Sequence, residues 1–174
     1  MTISLYDASV GSYLQILDAA QGVLKKGLDW CRDKGVDPDE VVEHCLIEDM
    51  RPLRFQVQQT VFHSAGAIET MRSGLLSFAG ERPRPDYAGL QALLAQAATD
   101  LRALDPAEVN GWAGKEVLFR IPGRDDRRFT AEGYLLSFSL PNFHFHAATA
   151  YDILRARGVP LSKLDFMGAL RLAD

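Results

Sequence analysis

The chain has little that would staple it, anchor it or charge it strongly. Its only cysteines are Cys31 and Cys45. They form no C-x-x-C pair, which argues against a disulfide framework or a thiolate metal site. No apolar run approaches the about 20 residues needed to cross a bilayer. The opening MTISLYDASVGSYLQIL has neither the basic region nor the long apolar core of a signal peptide, so a cytoplasmic location is expected, with no membrane partner. A net charge of −4 leaves no broad basic field for nucleic acid. The one local cluster, from Arg124 to Arg128, mixes signs and reads as a solvated turn. No G-x-S-x-G, G-x-G-x-x-G or P-loop pattern occurs, and there is no internal repeat. His44 adjoins Cys45, but neighbours on a helix point about 100° apart, so they make a poor thiolate–imidazole pair.

What is present is ordinary core-forming material. Apolar residues make up 47% of the 174 and charged residues 24%, enough for one domain, 1–174, without covalent or metal staples. Apolar periodicity predicts four long helices. The first covers about 4–29, with Val10, Tyr13, Leu14, Leu17, Ala20 and Leu24 recurring at three- and four-residue steps. DKGVDPDE breaks it, and Asp37 with Pro38 is placed to cap a short helix over about 38–45. The second long helix follows Pro52 and runs to about 71. SGLLSFAGERPRPD, with Gly74, Gly80, Pro83 and Pro85, ends it. The third covers about 87–104. DPAEVNGWAG is a linker with room for one turn.

EVLFRI, 116–121, reads as a strand, PGRDD as turn chemistry, and RRFTA as a returning strand. The fourth long helix spans about 130–156, with Gly158 and Pro160 to stop it. Pro141 inside that pattern removes a backbone donor and clashes with the preceding turn, which predicts a kink or restart at 140–142. The apolar tail is expected to dock, with Asp165 capping it or pairing with Lys163. The fold class is therefore mainly α, a four-helix bundle with a small β-hairpin between helices three and four.

Candidate chemistry concentrates on histidines. His144 and His146 differ by about 200° on a regular helix, so only one of them can face the bundle centre. On the second long helix His63 shares a stripe with Gln56, Gln59, Thr60, Ala67 and Thr70. Either this stripe faces inward, where Gln59 and His63 would need hydrogen-bond partners, or it is the solvent side. For a metal the useful pair is His63 with His146, on different helices. Two imidazoles are one short of the three protein ligands usual at a catalytic zinc. Buried, hydrogen-bonded histidines are the plain alternative.

PNFHFHAATAYDILRARGVPLSKLDFMG, together with SLYDASVGSYLQIL and LIEDMRPLRFQVQQT, resembles a domain-of-unknown-function family within the DinB/YfiT-like superfamily. The resemblance runs over nearly the whole chain and implies a DinB/YfiT-like four-helix bundle, often a homodimer. Many superfamily members carry three histidine metal ligands, one on the second helix and two as H-x-x-x-H on the last. His63 matches the first of these and His146 the last, while the remaining position falls on Asn142. The resemblance thus implies a divalent metal, zinc or nickel, held weakly or not at all. Gln59, Asn142 and His144 are candidate cleft-lining residues. The expected function is small-molecule binding at a degenerate metal site, with no established catalysis. The alternative is a divalent-metal-dependent transferase or hydrolase, thiol-dependent by resemblance, that uses His63 and His146 as ligands.

Overall fold

The computed structural model describes residues 3–77, 83–120, 123 and 125–172. A π-helical turn, Asp7–Gly11, leads into α1, Ser12–Lys34. This helix outlasts its predicted end. Arg32, Asp33 and Lys34 continue it, and Gly35 stops it in the left-handed region at φ 65°, where a side chain would be strained. Asp37 caps α2, Pro38–Val42, by accepting from the Asp39 amide at 3.0 Å.

The second predicted helix is two helices, α3, Leu53–Phe62, and α4, Ala65–Ser73, broken at His63 and Ser64. A three-residue strand that periodicity does not reveal, β1, Leu75–Ser77, follows. Next come α5, Tyr87–Arg102, and α6, Pro106–Asn110, capped by Asp86 and Asp105 respectively. The predicted hairpin is β2, Glu116–Arg120, with β3, Arg127–Thr130. β1 pairs parallel to β2 with Leu75 opposite Leu118, and β3 pairs antiparallel with Val117 opposite Phe129. The expected turn residues Pro122 and Arg124, and Gly80 upstream, lie outside the described residues.

The last predicted helix begins as one turn, α7, Ala131–Tyr134, widens to a π-helical stretch, Leu135–Ser139, and continues as α8, Leu140–Ala156. The distortion sits just before Pro141. In the wide turn the Leu140 amide donates to the Leu135 carbonyl, five residues back. This register slip accommodates a proline that has no N–H and whose ring crowds the carbonyl four residues earlier. The tail forms α9, Lys163–Met167. Asp165 closes a capping box with Ser162 and reaches Lys26 on α1 at 2.6 Å, not Lys163, because residues two apart on a helix do not face each other.

Four helical arms build the bundle: α1, the broken α3–α4, α5 and α8. α3 packs along α8, and α1 packs along α5. Leu17, Leu53, Leu90, Leu94, Phe143 and Leu154 are fully buried between them. The core leaves a cavity of about 10 Å³ among Ile16, Val23, Val57, Leu94 and Ala150. That is about the lower limit for one water, and its lining is almost wholly apolar. The sheet closes one end. Its Phe119 meets Phe138 at 5.2 Å between ring centroids, so the sheet abuts the π-helical stretch of the last arm. Among the described residues no helix is long and apolar enough to cross a membrane.

Candidate functional site: a stacked histidine pair

The break between α3 and α4 is built from hydroxyls. Thr60 Oγ1 donates to the Gln56 carbonyl at 2.9 Å, and Ser64 Oγ donates to the Thr60 carbonyl at 2.7 Å. Such back-bonding offers the carbonyls an alternative to the main-chain ladder and bends helices. The His63 carbonyl accepts instead from Ser139 Oγ at 2.7 Å, across the bundle from the π-helical stretch. Ser139 has one hydroxyl proton, committed to that carbonyl, so Tyr13 must be the donor in the 2.5 Å contact between Tyr13 Oη and Ser139 Oγ. Burial pushes the Tyr13 phenol well above its ordinary pKa, and it therefore stays a donor throughout the usual pH range. Tyr13, Ser139 and the His63 main chain thus form one buried relay that fixes where His63 leaves its helix.

Removing the central hydroxyl tests the relay. Ser139→Ala deletes the bond to the His63 carbonyl and leaves the Tyr13 hydroxyl buried without its acceptor. The expected loss is about 1–3 kcal/mol in a urea melt. Tyr13→Phe keeps the Ser139 bond to His63 and is expected to cost less. Equal losses in the two variants would show that Ser139 does not hold the break.

The stripe on α3 faces inward. Gln56, Gln59, Thr60, His63 and Thr70 are each no more than 5% exposed. His63 and the half-buried His146 of α8 stack with ring centroids 5.6 Å apart and planes 11° from parallel. Phe62 and Phe138 meet His63 edge-on at 5.0 and 5.4 Å. Phe55 and Phe145 meet His146 edge-on at 5.9 and 5.3 Å. The result is an imidazole pair walled by aromatic rings. His146 Nδ1 is 2.8 Å from Gln56 Oε1.

The other predicted residues fall in different places. Gln59 is buried on the inward stripe. Asn142 is half-buried, and its Nδ2 donates to the Phe138 carbonyl at 2.7 Å, tying the amide to its own helix. His144 is exposed on α8 and packs edge-on to Phe143 at 5.3 Å. The part of its ring withdrawn from water lowers its pKa below the usual imidazole value. α8 is regular after Pro141, so nothing turns His144 toward the pair. Cys31 and Cys45 are free thiols, the first buried and the second exposed.

Sequence periodicity singled out Gln56 as part of the stripe but assigned it no contact. Its position two turns before His63, on the same helix face, was the available signal. Ser139 carried no such signal, since its partners are distant in sequence.

The donor set does not fit a three-histidine metal centre. A catalytic zinc takes three protein ligands and an open position. Here two imidazoles are accompanied by amides, and the Asn142 nitrogen is already committed to a carbonyl. Among the described residues no group of three or more His, Cys, Asp or Glu side chains could hold a metal ion.

A bundle of four helical arms with a small three-stranded sheet has the DinB-like fold. A crystal structure of a DinB family member protein from Shewanella denitrificans matches with a TM-score of 0.83, over 98% of this chain and 95% of that one. At 24% identity the likeness is one of fold. The chain belongs to the family described as a domain of unknown function, DUF1993, which matches residues 5–167. No curated protein matches it.

Proposed function

We propose that this DinB-like protein is a small-molecule-binding bundle whose site is the cleft at His63 and His146, a degenerate form of a metal centre that acts by recognition and not by metal-dependent catalysis. The observation that carries this reading is the stacked imidazole pair, 5.6 Å between centroids, set among Phe55, Phe62, Phe138 and Phe145. Aromatic walls supply most of the binding surface for an apolar ligand body, and a few convergent polar atoms set its orientation. Indole, a flat apolar probe with one N–H donor, tests it. Saturable shifts of the His63 and His146 ring resonances are expected in the wild type, with weakening in His63→Ala and His146→Ala. No shift at either ring at millimolar indole would refute the reading.

The convergence of two imidazoles from different helices also favours the second reading, a divalent-metal transferase or hydrolase with both histidines as ligands. Elemental analysis of protein purified without an affinity tag separates the two. Recognition alone predicts substoichiometric metal and a Tm unmoved by added zinc or nickel. Stoichiometric metal lost in both alanine variants would install the second reading. We further propose a cytoplasmic homodimer. Light scattering should give twice the 19.3 kDa chain mass, and the chain mass alone would rule the dimer out.

A further inference from the structure

We propose that Gln56 is the positioning residue of the cleft, holding neutral His146 as the Nδ1–H tautomer so that Nε2 carries the lone pair. The inference takes its functional meaning from the ligand-site reading above, but its geometry stands on four atoms outside any ligand. Gln56 is 2% exposed. Its Nε2 donates to the Arg51 main-chain carbonyl at 2.8 Å. A carbonyl only accepts, so the amide cannot be flipped without setting two oxygens against each other. Oε1 is therefore the atom facing His146, at 2.8 Å from Nδ1. An amide oxygen also only accepts, so Nδ1 must bear the proton, and in the neutral ring that leaves Nε2 as the base.

The constraint runs from a backbone carbonyl to a ring nitrogen. Arg51 is anchored just before α3, where Pro52 caps the helix and its carbonyl accepts from the Gln56 amide at 3.1 Å. The start of α3 thus orients one side chain, and that side chain orients an imidazole on α8. This outer contact has the same logic as the hydrogen bonds that fix ligating histidines in metal sites, although it needs no metal here. Any group that pairs with His146 at Nε2 meets a lone pair. A hydrogen-bond donor is accepted there, and a carboxylate or phosphate oxygen is refused while the ring is neutral.

The test reads the tautomer directly, without ligand. Protein labelled with ¹⁵N at histidine is examined by long-range ¹H–¹⁵N correlation above the imidazole titration range, with His146 assigned from His146→Asn. The wild type should show a protonated Nδ1 and an unprotonated Nε2, the minority form of free imidazole. Gln56→Leu should lose that signature and move toward the Nε2–H form. A wild type with Nε2–H, or an unchanged signature in Gln56→Leu, overturns the proposal. Should the leucine variant fail to fold, the wild type still decides, because a wild-type Nε2–H form is fatal. Indole binding is measured separately, so a failed tautomer and a failed ligand site give different results.

Discussion

Phe143→Ala should lower the unfolding free energy by about 3–5 kcal/mol, the range for truncating a fully buried phenylalanine. The ring is 0% exposed and meets Tyr13 edge-on at 5.0 Å and 77°. Transfer free energy and cavity formation both contribute. The aromatic pair adds about 0.5–1.5 kcal/mol of its own. Relaxation into the gap is limited on both sides. Tyr13 is held by Ser139, and Pro141 lies one residue behind the start of α8. The loss should also reach the cleft, because Phe143 stands one turn before His146 and Tyr13 is the donor of the relay to the His63 main chain. Phe145 is the control. It sits on the same helix at 56% exposure, and its alanine variant should change stability by less than about 1 kcal/mol. Urea titrations that move the midpoint at constant slope report the difference. A Phe143→Ala loss no larger than that of Phe145→Ala would mean that the α1–α8 seam closes over the missing ring.

The limits of reading this fold from sequence have physical causes. Periodicity locates a helix wherever one apolar stripe faces a core, and α1, α5 and α8 follow that rule. It misplaced the end of α1 because charged residues in a last turn look like loop, although Arg32 and Lys34 suit a helix C-terminus and Gly35 is the actual stop. β1 left no trace. Leu75 to Ser77 are three residues specified by a partner strand about 40 residues later in the sequence, with Leu75 against Leu118, and no local pattern encodes such a pairing. The break at His63 and Ser64 escapes the sequence reading, which runs one helix through it, although Thr60 and Ser64 stand one turn apart and both turn back on the helix. The hydroxyl that secures it, Ser139, arrives from across the bundle.

The direction of the α3 stripe was undecidable for a related reason. Val61 and Phe62 place apolar surface beside the polar residues and pack against the core too. Contrast between faces, on which periodicity depends, is therefore absent. Pro141 was a better guide, because its steric demand is local, and the wide turn lies directly before it.

Gly22 and Gly27 occupy one helix, yet alanine should act in opposite directions at the two. Gly22 is exposed, and an added Cβ would meet nothing within 4 Å, so Gly22→Ala should stabilise by about 0.5–1 kcal/mol through backbone entropy alone. Gly27 lies where α1, α5 and α8 meet. A Cβ there would run into the Tyr87 hydroxyl and come within 3.3 Å of both Leu154 methyls. Tyr87 cannot simply retreat. Its hydroxyl donates to the Leu24 carbonyl at 2.8 Å, and its amide donates to Asp39 Oδ1 at 2.8 Å. Gly27→Ala therefore gains the same helix propensity but overpacks the junction, at about 1–3 kcal/mol. It also displaces a buried hydroxyl from its acceptor, at a further 1–3 kcal/mol or so. A net loss of about 2–4 kcal/mol follows. A double-mutant cycle separates the clash from any general intolerance of the site. In the Tyr87→Phe background the obstructing oxygen is gone, so Gly27→Ala should cost markedly less there, with a coupling of about 1–3 kcal/mol. Additive losses would mean that the obstruction is the Leu154 methyls and that the Tyr87 hydroxyl is free to yield.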